Sequence, residues 1–168
     1  METRGYFDIT IRPGVIDPSG LVKGWSVDRA AAILDEAGVQ NYAVNAGGDM
    51  RLRGRAVPQF TWNVGIQHPL ELDRIAAVVE ASDLAIATSG AYARGDHVRN
   101  PHTGRPPTGV LSVTVVGPEL ATADAYATAA FAMGPEEGPH WTARLHGYEA
   151  MTILADETIL STGGFPNE

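Results

Sequence analysis

The chain has 168 residues, a formal net charge of −8 and no cysteine. The length fits a single domain, residues 1–168, with a substantial core. The acidic balance disfavours nucleic acid or an anionic membrane as a partner, and the absence of cysteine excludes disulfides and thiol chemistry. No apolar run is long enough for a membrane span and the first residues lack a signal-peptide pattern. We therefore expect a cytoplasmic protein, or an extracytoplasmic one if the natural start lies upstream.

The first part of the chain is predicted to contain short extended segments followed by one helix. Residues 5–10 and 15–17 are predicted to be brief strands or turns, separated by a turn at Pro13-Gly14. An amphipathic helix is predicted over residues 21–34 and is closed by Gly38. The residues near helical spacing, which define its predicted packing face, are Leu21, Val22, Trp25, Arg29, Ala32 and Ile33.

The rest of the chain is predicted to be mostly strands. They are expected over residues 40–45, 50–53, 59–67, 84–88, 110–116, 149–154 and 158–161. The glycine turn over residues 46–49 predicts a hairpin between the first two strands, and the last two strands are predicted to form another. A helix is predicted from Thr122 to the stop at Gly134-Pro135, with a second short helix over 136–145. Helices interspersed with hairpin-like strands predict an α+β fold with a mostly antiparallel sheet.

The start of the long helix contains a candidate metal site. Thr122 is predicted to be the N-cap, and Asp124 and Thr128 lie four positions apart on one helix face. A carboxylate and a hydroxyl suit a hard cation such as Mg²⁺, which takes oxygen ligands. Alternatively, Asp124 complements the helix dipole and Thr128 is a surface residue. Spacing alone favours this second interpretation.

The start of the first helix contains a candidate anion site. Lys23 follows the turn at Gly20, where backbone N–H groups and an ammonium group can bind phosphate; the alternative is a solvent-exposed lysine. Asp17 can bond to a ribose or an adenine amine, or cap the turn before the helix. The residues alone favour the turn.

Two turns are open to more than one interpretation. Gly47-Gly48 allows close approach of a ligand or forms a plain hairpin turn, and its spacing matches neither a dinucleotide fingerprint nor a P-loop. Ser89 at a strand end can line a site. It lacks the strand–elbow–helix context of a hydrolase nucleophile.

The loop over residues 97–104 is the segment richest in chemically active side chains. His97, between Asp96 and Arg99, can act as a general base near neutral pH. The histidine spacing matches no zinc pattern. Arginines that could pair with phosphates in or beside this loop are Arg94, Arg99 and Arg105. A solvated polar loop is the alternative.

In their order and spacing, these segments resemble the ApbE family, the FAD:protein FMN transferases. The motifs that carry the resemblance are residues 6–8, 17–28, 44–49, 87–90, 97–104, 112–116 and 123–128. They run over nearly the whole chain, and their combination is more specific than any one of them. The resemblance implies an ApbE-like, T-fold-like α+β architecture.

The resemblance also implies an activity and a set of site residues. Such enzymes use Mg²⁺, cleave the diphosphate of FAD, transfer FMN to a Thr or Ser hydroxyl of a partner flavoprotein through a phosphoester bond, and release AMP. His97 matches the family histidine that acts as base toward the acceptor hydroxyl. The metal ligands implied are the carbonyl of Gly20, Asp124 and Thr128, and the FAD contacts implied are Tyr6, Phe7, Asp8, Asp17 and Lys23.

Three departures from the family pattern leave other functions open. Asn100 stands where the family usually has Asp, and Ala127 where some members have a second Asp. Family members also have a long further segment before the part that matches Tyr6. If that segment adds strands to the same sheet, an edge and an apolar face are exposed here. We then expect weak FAD binding or dependence on homo-oligomerisation, unless Met1 is internal to a longer protein. The alternative functions are a non-catalytic flavin carrier and an FAD pyrophosphatase.

Overall fold

The computed structural model describes residues 3–12, 14–90 and 98–166. Its elements in chain order are β1 (Thr10–Arg12), β2 (Val15–Ile16), α1 (Ser19–Glu36), β3 (Tyr42–Ala46), β4 (Asp49–Arg53), β5 (Trp62–Gln67), β6 (Ile75–Ala81), β7 (Leu84–Gly90), β8 (Val110–Gly117), α2 (Leu120–Thr142), β9 (Glu149–Leu154) and β10 (Ile159–Ser161). Neither of these helices is long and apolar enough to cross a membrane.

The largest sheet has six strands in the order β10-β9-β8-β7-β4-β3, and every neighbouring pair is antiparallel. Two further antiparallel pairs, β1–β2 and β5–β6, lie outside it. The predicted α+β fold with a mostly antiparallel sheet is therefore confirmed. Strand β6 was not predicted, because its sequence has no apolar–polar alternation and contains three alanines, which are uncommon in strands.

The two faces of the six-stranded sheet are covered by different elements. On one face, alanine-rich α2 packs against small and β-branched residues such as Ala85, Ala87 and Val115. On the other, the β5–β6 hairpin covers larger side chains such as Leu52 and Ile153. Small residues on the first face allow the helix backbone to approach the sheet closely.

Helix α1 packs on α2 through small residues, which corrects the predicted packing face. Its buried residues are Gly24, Val27 and Ala31. Trp25 and Ile33 are instead 55% and 62% exposed. A Cβ on Gly24 would lie 2.5 Å from the carbonyl oxygen of Leu120, so the two helix backbones nearly touch. A close helix crossing selects small residues, and the sequence pattern alone favoured large ones.

Helix α2 begins at Leu120, and the prediction of Thr122 as its N-cap is wrong. The N-cap position is Glu119. The first N–H groups of the helix are satisfied from α1, because Asp28 accepts hydrogen bonds from the N–H of Leu120 (3.1 Å) and of Ala121 (2.8 Å). The Thr122 hydroxyl donates to the Glu119 carboxylate instead.

A break divides α2 at the predicted position. Gly134 has φ 85° and ψ −167°, which is non-helical, and Pro135 follows it. Helical structure then continues to Thr142. The sequence therefore located the break, and Glu137 lies in the helical segment that follows it.

The candidate functional site

The metal ligands implied by the resemblance meet where α1 crosses α2. A Cβ on Gly20 would lie 2.9 Å from the Thr128 hydroxyl oxygen and 3.1 Å from the ring of Phe7. One turn further along α1, the Gly24 N–H donates a hydrogen bond to the Asp124 carboxylate at 3.3 Å. The structure therefore brings Phe7, Gly20, Asp124 and Thr128 together at one crossing.

The donor atoms at this crossing suit a hard divalent cation. Asp124 is 4% exposed, so its carboxylate sits in a largely dry environment that favours partnership with positive charge or N–H groups. The Thr128 hydroxyl lies 3.2 Å from the Ser89 hydroxyl, which adds another oxygen beside it. Carboxylate, hydroxyl and carbonyl oxygens are the ligands Mg²⁺ prefers, so the residues present fit that ion. Ala127 is buried in the core and offers no side-chain oxygen.

Lys23 is held inside the site. Its ammonium nitrogen lies 2.6 Å from an Asp49 carboxylate oxygen, and its side chain is only 26% exposed. Asp49 itself is 1% exposed, and its other oxygen accepts a hydrogen bond from the Thr88 N–H at 3.3 Å. The alternative of a solvent-exposed Lys23 is therefore wrong.

Asp49 is the site residue that the sequence reasoning missed. The Gly47-Gly48 turn joins β3 to β4 as predicted, with φ of 60° and 99° at its two glycines, values that favour glycine. The Asn45 side chain accepts the Gly48 N–H at 3.0 Å. Asp49 is the first residue of β4, and its position after a paired glycine turn was the available signal. Nothing local to the turn indicated Lys23 as its partner.

The segment containing Tyr6 is held by contacts to Glu137 and to His102. The Tyr6 hydroxyl donates to the Glu137 carboxylate at 2.7 Å, and Arg4 pairs with the same carboxylate at 2.9 Å. The ring of Tyr6 meets the ring of His102 edge-on, with centroids 4.5 Å apart. The hydrogen bond to Glu137 raises the pKa of Tyr6. The last turns of α2 and the 98–107 loop thus fix the segment that ends beside Gly20.

Asp8 and Asp17 serve turns at the start of the chain. The Asp8 carboxylate accepts the Thr10 N–H at 2.7 Å, and the Asp17 carboxylate accepts the Ser19 N–H at 3.0 Å. Both residues are exposed. Asp17 therefore caps the local turn, as the alternative interpretation predicted. Because its carboxylate is exposed beside α1, it is also accessible to a ligand.

Asn100 orders a turn in the loop over residues 98–107. Its side-chain oxygen accepts the backbone N–H of His102 at 2.9 Å and of Thr103 at 3.3 Å, so it orders the turn. An aspartate oxygen could accept the same two bonds, and the amide therefore preserves the loop geometry. His97, the predicted base, lies outside the described residues, together with Asp96 and Arg94.

Comparison with known proteins gives a consistent result. The sequence model of the ApbE family matches residues 11–152. An FAD:protein FMN transferase of Vibrio cholerae is 38% identical over 133 residues, which are 73% of this chain and 40% of that protein. The Escherichia coli K12 FAD:protein FMN transferase is 34% identical over 132 residues, 73% of this chain and 38% of that protein. The chain thus spans about 40% of the length of these curated relatives.

Solved structures show the same likeness in three dimensions. The flavin transferase ApbE from Vibrio cholerae superposes with a TM-score of 0.80 and 33% identity, covering 90% of this chain and 52% of that one. The ApbE protein of Thermotoga maritima gives a TM-score of 0.83 and 30% identity, covering 92% and 54%. Because the family match extends over most of the described fold and includes the α1–α2 crossing, this chain belongs to the ApbE family.

Proposed function

We propose that this chain transfers FMN from FAD to a Thr or Ser hydroxyl of an acceptor flavoprotein, with Mg²⁺ as cofactor and AMP as the second product. The observation that carries the proposal is the meeting of Gly20, Asp124 and Thr128 at one helix crossing, with Lys23 on the same helix as Gly20. The relatives named FAD:protein FMN transferase support the same activity.

The residues of the crossing divide into two groups by chemistry. Asp124, Thr128 and the carbonyl of Gly20 would hold Mg²⁺, which when bound offsets negative charge on a diphosphate. Lys23 provides a protein cation for the same diphosphate, which an overall acidic chain needs if it is to bind an anion. Phosphoryl transfer depends mainly on such positioning and charge stabilisation.

The flavin end of the substrate is assigned to the fastened N-terminal segment. Phe7 packs beside Gly20 at the crossing, and the adjacent Tyr6 is held by Glu137 and His102, so both aromatic side chains are fixed by contacts. Aromatic rings held in place bind a planar heterocycle with little additional loss of side-chain freedom. Asp8 and Asp17 are exposed and lie in the same N-terminal part of the chain, and we assign them to polar groups of FAD.

The transfer exchanges the phosphoanhydride bond of the FAD diphosphate for a phosphoester bond to the acceptor. The acceptor hydroxyl oxygen bonds to the phosphorus of the FMN half, while the bond from that phosphorus to the bridging oxygen breaks and AMP leaves. His97 is assigned to take the hydroxyl proton, because an imidazole is protonated and deprotonated near neutral pH.

The test is an incubation of the chain with FAD, Mg²⁺ and an acceptor protein that carries a flavinylation motif. We expect covalent flavin fluorescence on the acceptor and one AMP for each flavin attached. AMP without acceptor labelling would replace the proposal with FAD hydrolysis. FAD binding with neither product would replace it with a flavin carrier.

A further inference from the structure

The Lys23–Asp49 pair is unusual for its burial. Asp49 is 1% exposed and the Lys23 side chain 26%, whereas the Arg53–Asp35 pair has both side chains 41% exposed. Taking a carboxylate out of water is costly, and a buried ion pair often adds little net stability compared with apolar residues of similar size. We therefore expect this pair to have a role other than stabilising the fold.

The pair is connected to the crossing through one strand. The Thr88 N–H donates to Asp49, and the next residue, Ser89, places its hydroxyl 3.2 Å from that of Thr128. On α1, Lys23 lies beside Gly24, whose N–H contacts Asp124. Adjacent residues on both β7 and α1 thus link the ion pair to the proposed metal ligands.

The position of Asp49 is fixed by the backbone around it. It begins β4 directly after a two-glycine turn, and its register partner across the hairpin is Ala46. Its position is therefore set by β3, β4 and the bond from Thr88, all parts of the sheet. Lys23, by contrast, has a long flexible side chain whose direction the helix does not determine.

We propose that Asp49 is a positioning residue that orients the Lys23 ammonium group toward the diphosphate of bound FAD, an inference that rests on the proposed function. Lysine has many rotamers, and fixing one of them in advance reduces the entropy lost when a ligand binds. The carboxylate also repels a diphosphate, which acts in the opposite direction. We expect orientation to outweigh this repulsion, and the ADP affinity of an Asp49→Asn variant decides between the two effects.

The decisive variant is Asp49→Asn, which keeps the size of the side chain and an oxygen for the Thr88 N–H but removes the charge. Binding is measured without an acceptor, so that no transfer occurs, using FAD, ADP and riboflavin as separate probes. We expect affinity for FAD and ADP to fall about tenfold, the scale of one lost charged contact, while affinity for riboflavin, which has no diphosphate, stays unchanged.

A double-mutant cycle tests whether Asp49 acts through Lys23. In a Lys23→Met background, we expect Asp49→Asn to cause no further loss of ADP affinity. An equal loss of affinity for all three probes would show a merely structural role and would overturn the inference. Unchanged or tighter binding of ADP by Asp49→Asn would overturn it as well.

Asp35→Asn is the matched control, since it removes a carboxylate from an ion pair on the exposed end of α1. It should leave the affinity for all three probes unchanged. Circular dichroism on every variant identifies any that fail to fold. If the wild-type chain binds FAD and ADP but transfers nothing, the proposed function fails while the binding cycle still decides the role of Asp49.

Discussion

The two faces of the six-stranded sheet bury different kinds of side chain. The α2 face adjoins the buried carboxylates Asp49 and Asp124 and the hydroxyl of Ser89. The face under the β5–β6 hairpin is lined by Leu52, Ile86 and similar aliphatic residues. A buried carboxylate is costly unless it is paired, and the two that the structure describes both lie in or beside α2, which marks that face as the candidate functional one.

We expect substitutions on the two faces of the sheet to affect different properties. Removing a polar group at the α1–α2 crossing should mainly affect ligand binding and transfer. Removing an aliphatic group under the hairpin should mainly affect the free energy of unfolding. Variants on the two faces therefore test whether the division is real.

The largest expected effect is on transfer in Asp124→Asn. The amide keeps the shape and an oxygen but loses the charge that suits Mg²⁺, so we expect transfer to fall by at least about a hundredfold. Acceptor labelling at several Mg²⁺ concentrations measures this, with thermal unfolding as the check on folding. Activity close to that of the wild type would remove Asp124 from the proposed metal ligands.

On the opposite face, Leu52→Ala should lower stability rather than activity. Leu52 is 0% exposed, and truncating such a residue leaves a cavity that costs about 2–5 kcal/mol of unfolding free energy. Urea denaturation gives this value, and transfer per folded molecule should change less than about threefold. A hundredfold loss of transfer in a well-folded Leu52→Ala protein would show that the faces are not functionally separate.

Local patterns predicted those parts of the site that lie on one element. Asp124 and Thr128 could be paired because helix periodicity places them on one face, and the Gly47-Gly48 hairpin follows from its turn chemistry. The break at Gly134 was equally readable from glycine followed by proline. Each of these conclusions needs only neighbours within a few residues.

Features that depend on two distant elements were missed. The true packing face of α1 contains Gly24 because α2 crosses there, and hydrophobic spacing cannot show a crossing. The cap of α2 comes from Asp28 rather than Thr122 for the same reason. Asp49 was overlooked because its partner, Lys23, lies on another element.

A substitution at the α1–α2 crossing should have an effect of intermediate size. In Gly24→Ala the new Cβ would meet the Leu120 carbonyl oxygen at 2.5 Å, a backbone atom that cannot rotate away. We expect a loss of about 1–3 kcal/mol in stability and weaker FAD binding, because α1 must move from α2 and takes Gly20 and Lys23 with it. Gly38→Ala is not a suitable control, since Gly38 has φ 79°. Ala30→Gly within α1 is a better one, and should lower stability by only about 1 kcal/mol without affecting FAD affinity.

The smallest expected effect concerns the exposed counterpart of the buried ion pair. Arg53, followed by the Tyr42 hydroxyl, holds the pKa of Asp35 below its usual value through hydrogen bonds. A carboxyl whose folded-state pKa is lowered contributes stability above its unfolded pKa, near 4, and loses it as pH falls through the folded value. NMR titration should show the Asp35 pKa rising toward its ordinary value in Arg53→Met, with ADP affinity at pH 7 unchanged. A loss of ADP affinity in that variant would mean that surface ion pairs of α1 also orient the site, and the contrast between the exposed pair and Lys23–Asp49 would no longer hold.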